Sequence, residues 1–452
     1  MIFTCTWTVQ HLNVPEQREG KDPGWRGDIK WGWKSVWESA KWMCITILAP
    51  EALVSLNLGQ LIQAWQSMAK LKQFAEEDNV PWTLTHSLFA DMGGFVIREN
   101  VPERAAGRLH TRSKASCGVK EGLKTGEQQI TTLAEAIQIN EVTSPSRQEQ
   151  AHEGRRTQLK LAKSKFLLSS EILALRKHGM ITLPYITREE IMDKGKSDIF
   201  ARVLAIGQTL WLVVQMIVRA SRHLEVSQLE IGTAAFTSCA VTIYALNWHK
   251  PKGVGVPWTI CSYPGTIPKE FSTLLNFKSV DNEWPVLDIL KPGPLGRRMR
   301  ELRGSSIPNH HRYAGKSWDG AHQWSADSYE AVGFILSSTA FGAIHFAAVK
   351  STFPSHIEWV LWYMASGICT SVSLLVFSAF VVAVLYGVIH NGLSGNSDDH
   401  GLLGCKLAVT YCILPLYIIA RLFLIVELFR CLFFLPPSAF VATWVSSIPH
   451  VS

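Results

Sequence analysis

Long uncharged apolar runs constrain this chain more than any other feature. Ala331–Val349 continues for 19 residues without an acid, Lys or Arg, and Trp359–Ile389 for 31. Ile199–Val218, Ile231–Leu246 and Leu407–Val426 are nearly as apolar, with Arg202 and Arg421 the exceptions. A bilayer crossing needs about 20 apolar residues, and a water-soluble core rarely contains an uncharged run longer than that. A further apolar stretch, Met43–Trp65, contains Pro50 and Glu51. The pattern predicts an all-α, polytopic helical membrane protein with six transmembrane helices and long polar loops. The count rises to seven if the apolar stub Met1–Val9 also inserts. Trp359–Ile389 exceeds one crossing and should tilt or project from the bilayer. Pro415 is expected to kink the last span.

The mean hydropathy of only +0.10 hides two populations. Val96–Lys165 has no Phe, Trp or Tyr and is rich in Arg, Lys, Gln, Glu, Ser and Thr. Such a segment cannot bury enough apolar surface to offset its chain entropy, so disorder is expected over 98–165. The chain then divides into 1–97 (stub, Trp-rich segment and first span), 98–165, 166–248 (a helix and two spans), 249–328 (a Pro/Gly-rich polar loop) and 329–452 (three spans and a tail). The residues of Gln10–Trp42 interleave Trp25, Trp31, Trp33, Trp37 and Trp42 with Lys and Arg, a composition suited to the headgroup layer. Trp82–Phe95 (WTLTHSLFADMGGF) is too short and polar to span and is expected to be interfacial or re-entrant. Thr187 followed by Glu190 has capping-box spacing and should start a short helix.

The net charge of +7 does not point to nucleic acid, because no zinc, helix-turn-helix or RNA-recognition pattern accompanies it. The basic residues flank apolar runs instead, as Arg219, Arg222, Lys250 and Lys252 do, and the lipid bilayer is the expected partner, with other membrane proteins beside it. Residues 249–328 hold 11 Lys and Arg. By the positive-inside tendency this loop and Gln66–Asp198 lie on the cytosolic side. The nine cysteines show no metal or disulfide spacing, and no cofactor or metal site is expected.

Ionisable residues at membrane depth are costly and are the natural functional candidates. Four stand out: Glu51, beside Pro50, His345, Arg421 and Glu427. Arg421 is the strongest cationic partner for Glu51, and Glu427 has the spacing to pair with Arg430. His345 suits hydrogen-bonded packing better than catalysis. No GxSxG, HExxH, Walker or Asp-rich motif is present, so no catalytic residue is assigned.

Several motifs resemble those of a filamentous-fungal family of multi-pass membrane proteins without established activity. They are CTWTVQHLNVP (Cys5–Pro15), LAPE (Leu48–Glu51), WTLTHSLFADMGGF (Trp82–Phe95), SDIFARVLAIGQTLWLVVQ (Ser197–Gln215) and ARLFLIVELF with LPPSAF and IPH (Ala420–His450). The resemblance implies a membrane fold and offers fungal secondary metabolism as context. It carries over no catalytic residues. The resulting expectation is a non-enzymatic accessory, scaffold or receptor-like protein of the plasma membrane or an endomembrane. The rivals are a small-molecule transporter or channel and a membrane-embedded enzyme acting on a lipophilic substrate.

Overall fold

The computed structural model describes residues 6–18, 24–100, 164–195, 199–264, 326–393 and 413–441, together with Ile307 and Asn309. The expected disorder of 98–165 lies mostly outside these residues, as does most of the loop 249–328. The described chain is mainly helical. Helix α1 covers Trp25–Leu48, α2 Pro50–Glu77, α3 Leu84–Asp91, α4 Ser169–Lys177 and α5 Arg188–Lys194. Then follow α6 (Ile199–Ser221), α7 (Gln228–Leu246), α8 (Ala326–Phe346), α9 (His356–Leu393) and α10 (Leu414–Arg430).

Among the described residues two helices are long and apolar enough to cross a membrane, over Val203–Ser221 in α6 and Gln228–Leu246 in α7. The bent pair α1–α2 makes a third if counted as one broken span. The expected six or seven spans are not supported by this count. One apolar run is longer in sequence than as a helix. The run from Ala331 leaves the α-helix at Phe346 for a 3-10 turn, Ala347–Lys350. Residues 407–412 of the run Leu407–Val426 lie outside the described residues, and the rest of it lies in α10. Pro415 lies in the first described turn of α10, and the residues 401–412 that would show the expected kink lie outside the described residues. The long run Trp359–Ile389 does form one helix, of 38 residues. At 1.5 Å per residue this is about 57 Å, well beyond a bilayer core.

Met43–Trp65 is not one continuous helix either. Helix α1 stops at Leu48, Ala49 adopts a non-helical conformation, and α2 starts at Pro50 after a bend of 110°. Proline at the first helical position needs no donor, since that N–H has no intrahelical partner in any helix. Glu51 in the same first turn faces the positive end of the helix dipole.

The long helices form a bundle in which α8 packs against α2, α7 and α9, and α9 packs against α10. Close approach depends on small residues. Ser55 of α2 donates to the Glu330 carbonyl of α8 at 2.7 Å, and a Cβ on Gly333 would lie 3.3 Å from the Ser55 Cα. One apolar cluster joins Leu53, Val54, Phe236, Ile243 and Phe341. A second joins Ile231, Trp362, Cys369, Tyr417 and Leu428.

The chain is not purely α. Strands β1 (Phe95–Asn100), β2 (Ser164–Leu167) and β3 (Trp258–Pro264) form a sheet ordered β2-β1-β3. β1 is antiparallel to β2 (Val96 opposite Phe166) and parallel to β3 (Phe95 opposite Trp258), with an irregularity between Val96 and Ile97. The sheet and helices α3–α5 close a separate apolar core around Phe89, Phe95, Ile97, Leu167, Ile172, Leu175 and Ile186. Trp82–Phe95, expected to be interfacial or re-entrant, packs into this core. It is a packed helix and the start of a central strand. Gly93, at φ 85°, ends α3 in the left-handed region, and Gly94 N–H donates to Phe89 at 2.7 Å. Thr187 and Glu190 form the expected capping box on α5.

The N-terminal segment also differs from expectation. Gln10–Asn13 is not at a headgroup surface. Val9, Gln10, His11, Asn13 and Val14 are buried, with Val14 N–H donating to Met92 at 2.9 Å and His11 edge-on to Tyr244. The Trp-rich part begins only at α1.

Candidate functional site

The deepest polar cluster is built from helices far apart in sequence. Glu51 comes from α2, Tyr417 and Arg421 from α10, Phe341 and His345 from α8, and Trp362 from α9. Glu51, Arg421, His345 and Trp362 are all essentially without solvent contact. Arg421 lies one helical turn after Tyr417 and shares its buried face with Ala420, Leu424 and Leu428. That spacing places both polar groups at the inner face of α10.

The cluster is closed on itself. Arg421 Nη2 donates to both carboxylate oxygens of Glu51. The Tyr417 hydroxyl donates to Glu51 Oε1 and accepts from Arg421 Nε at 2.9 Å. The Arg421 guanidinium carbon sits 3.6 Å from the centroid of the Phe341 ring, a cation–π contact on its remaining side. His345 continues the stack, 4.5 Å from Phe341 and 5.6 Å from Trp362 by ring centroids. Its Nδ1 lies 2.8 Å from the Phe341 carbonyl, and Trp362 Nε1 donates to the His345 carbonyl at 3.0 Å. The fourth candidate, Glu427, is buried away from this group and accepts from the Cys431 thiol at 3.2 Å. It does not pair with Arg430. Glu427 points inward whereas Arg430 is exposed and bridges to Glu358 of α9.

A second polar cluster was not singled out from the sequence. Asp91, at the end of α3, uses Oδ1 to accept from Ser169 N–H at 2.9 Å and Ser169 hydroxyl at 2.6 Å. Its Oδ2 is out of solvent contact and has no hydrogen-bond partner. Lys250, four residues beyond α7, is buried and donates to Gln60 of α2 at 3.0 Å. Burial pushes the Asp91 carboxyl up to about 6, opposed by the Ser169 bonds and the Lys250 charge. Burial pushes Lys250 down to about 8, opposed by Asp91. Glu171 is also raised by burial, with Asp91 adding to the rise and Lys165 opposing it. The pair thus lies where the sheet core meets the bundle. The sequence signal was faint: an Asp before Gly-Gly and a Lys just past an apolar run.

His86 anchors α3. Thr83 N–H donates to its Nδ1 at 3.1 Å, so the ring proton is on Nε2, which donates to the Ile186 carbonyl at 2.8 Å. Burial lowers its pKa, which keeps the ring neutral. Arg176 holds the neighbouring loop through a two-pronged bond to Asp78, at 2.7 and 2.8 Å, while Leu183 N–H also donates to Asp78. Among the described residues no group of three or more His, Cys, Asp or Glu could hold a metal ion.

A family model described as a family of unknown function (DUF8562) matches residues 159–280 and 322–451. The matched regions contain Tyr417, Arg421, His345, Glu427 and Lys250. Glu51 and Asp91, the acidic partners in the two clusters, lie outside them. No curated protein and no solved structure matches the chain.

Proposed function

We propose that this chain, which belongs to a family of unknown function (DUF8562), is a multi-pass membrane protein of the non-enzymatic accessory, scaffold or receptor-like class. The observation that carries the reading is the closed Glu51–Tyr417–Arg421 cluster. Both oxygens of the carboxylate are occupied by residues of the chain itself, and the guanidinium lies against Phe341. A catalytic or transport carboxylate needs an open position for a substrate, a proton acceptor or an ion. A saturated pair acts instead as a fastening between α2 and α10.

The membrane part of the reading is supported by the inside-out pattern of α10. Its polar residues Tyr417, Arg421 and Glu427 are buried, whereas Leu416, Ile419, Leu422, Val426 and Phe429 face outward. Helix α6 likewise turns Val203, Leu210, Val213, Val214 and Ile217 away from the protein. In water such faces are unfavourable, while in hydrocarbon they are the stable arrangement. The secondary-metabolism context and the filamentous-fungal kinship are part of this proposal.

A transporter or channel is the second reading. It is favoured by the break at Ala49, which puts Glu51 at the start of a discontinuous helix, a position that substrate sites use in broken-helix transporters.

A substitution cycle separates the two. Glu51→Gln keeps a hydrogen-bonding group, so the protein should accumulate normally. Glu51→Leu leaves Arg421 buried and unpaired, which costs about 3–5 kcal/mol, and should lower the amount in the membrane. Glu51→Leu with Arg421→Leu should recover part of that loss. If every variant accumulates like the parent but reproduces the phenotype of a deletion strain, Glu51 is functional and the second reading replaces the first. Untargeted metabolite profiling of the deletion strain tests the biosynthetic context: an unchanged profile overturns it.

A further inference from the structure

Helix α1 carries an apolar face that none of the described residues covers. Trp25, Ile29, Trp33, Val36 and Trp37 are each more than half exposed. At about 100° per residue they fall within an arc of about 120° on one side of the helix. The same geometry places Arg26, Lys30, Lys34 and Lys41 along one border of that arc. Gly27, Trp31 and Trp42, which are buried or half-buried, lie on the far side and hold the helix to the protein. The stripe is therefore an outward surface by construction, and only its border is basic.

What covers this face follows from three features. First, α2 packs against α7, one of the two helices apolar and long enough to cross a membrane, and α1 departs from α2 by 110°. A helix lying across that direction cannot follow the same path through a bilayer. Second, the aromatic members are tryptophans, whose rings prefer the headgroup–acyl boundary with the N–H hydrated. Third, cations border the stripe, whereas Asp28 and Glu38 lie away from it. Asp28 is held by Arg18 and Glu38 by Lys41. Long basic side chains beside an apolar face reach lipid phosphates while their stems stay in the apolar layer.

We propose that α1 lies in the plane of the membrane with Trp25, Ile29, Trp33, Val36 and Trp37 inserted at the headgroup–acyl boundary of an anionic leaflet, with Arg26 and Lys30 of its border reaching lipid phosphate while Lys34 and Lys41 hold Glu16 and Glu38. This rests on the membrane reading above. In that position α1 acts as a surface anchor, and its 110° junction with α2 ties surface lipid composition to the helix that carries Glu51.

Spin labels test this in the full-length protein, reconstituted in phosphatidylcholine nanodiscs with or without phosphatidylserine, with Cys44 replaced. Labels at Ile29→Cys and Trp33→Cys report the stripe, Ser35→Cys the opposite exposed face, and Leu210→Cys the apolar face of α6. At positions 29 and 33 collisions with oxygen should exceed those with a water-soluble nickel chelate. The order should reverse at 35. Adding phosphatidylserine should lower nickel access at 29 further, and Arg26→Gln with Lys30→Gln should abolish that increment. Nickel access at 29 and 33 equal to that at 35, with Leu210 protected, overturns the α1 proposal alone. Nickel access at Leu210 as well overturns the membrane reading and the proposal with it. Label–label broadening at 33 would mean that a second copy covers the stripe, and would also overturn it. Indifference to phosphatidylserine overturns the anionic preference.

Discussion

At the level of single residues, burial decides which charges matter. Asp91 and Lys250 are each driven toward neutrality by burial and each pulled back by the other. The carboxyl rises from 3.8 to about 6, so the fold binds its proton more tightly than the unfolded chain does. Its contribution is complete below pH 3.8 and is lost as pH rises through 6. Two units correspond to roughly 3 kcal/mol. Lys250 falls from 10.5 to about 8, so the fold favours its neutral form, and stability should be regained as pH rises from about 8 toward 10.5. Ser169, Glu171 and Lys165 shape the acidic limb through Asp91 and its neighbours. Asp91→Asn should flatten the loss between pH 4 and 6 in denaturant unfolding of the detergent-solubilised protein. Persistence of that slope would mean another group carries it. The Glu51–Arg421 contact was legible in sequence because only a few ionisable groups lie within the apolar runs, and opposite charges buried there must find each other. Tyr417 was not legible, since a tyrosine in an apolar run has many fates.

At the level of elements, local signals were reliable where chemistry is local. Thr187 with Glu190 starts α5, and Ser227 with Glu230 caps α7 in the same way. Signals that depend on a neighbour failed. Pro50 lies inside the apolar run Met43–Trp65, yet it starts a new helix, because Ala49 turns the chain before it. The strands were missed because each is at most seven residues long and β1 pairs with segments far along the chain. Helix contacts make a sharper prediction. A Cβ on Gly342 of α8 would collide with the Thr370 hydroxyl of α9 and come within 3.1 Å of the Thr370 backbone N. Gly342→Leu should therefore destabilise by about 1–3 kcal/mol. Gly342→Leu with Thr370→Ala should recover part of it, read from thermal unfolding in detergent. A full-sized loss in neither variant would mean that α8 and α9 can separate freely.

At the level of the molecule, a bundle and a sheet core share helix α2 and meet at Lys250 and Asp91. The hairpin of α6 and α7 brings its two ends together: Gly195 would place a Cβ 3.1 Å from the Lys252 carbonyl, and Lys194 lies over the Trp258 ring. If both helices cross the bilayer, the sheet core lies on one side and the turn around His223 on the other. Tyr185 and His223 are both exposed and report the two sides. With Cys44 replaced, His223→Cys should react with an impermeant maleimide in intact cells. Tyr185→Cys should react only after the cytosolic face is opened, as the positive-inside tendency requires. Labelling of both positions from one side would show that this hairpin does not cross.

The sequence by itself determined the helical, apolar character of the chain and the few buried charges that have to pair, because composition and run length fix what water can tolerate. It also determined the helix caps, whose donors and acceptors lie within four residues. Only the tertiary structure decided where apolar runs stop being helix, as at Ala49 and Phe346, because the turn there is set by what the next segment packs against. It alone brought β1, β2 and β3 into one sheet and set the buried Asp91 and Lys250 within each other's electrostatic influence. It also turned the face of Trp25, Trp33 and Trp37 outward. Those outcomes depend on contacts between residues tens to hundreds of positions apart, and no local pattern of side chains encodes which distant partner will arrive.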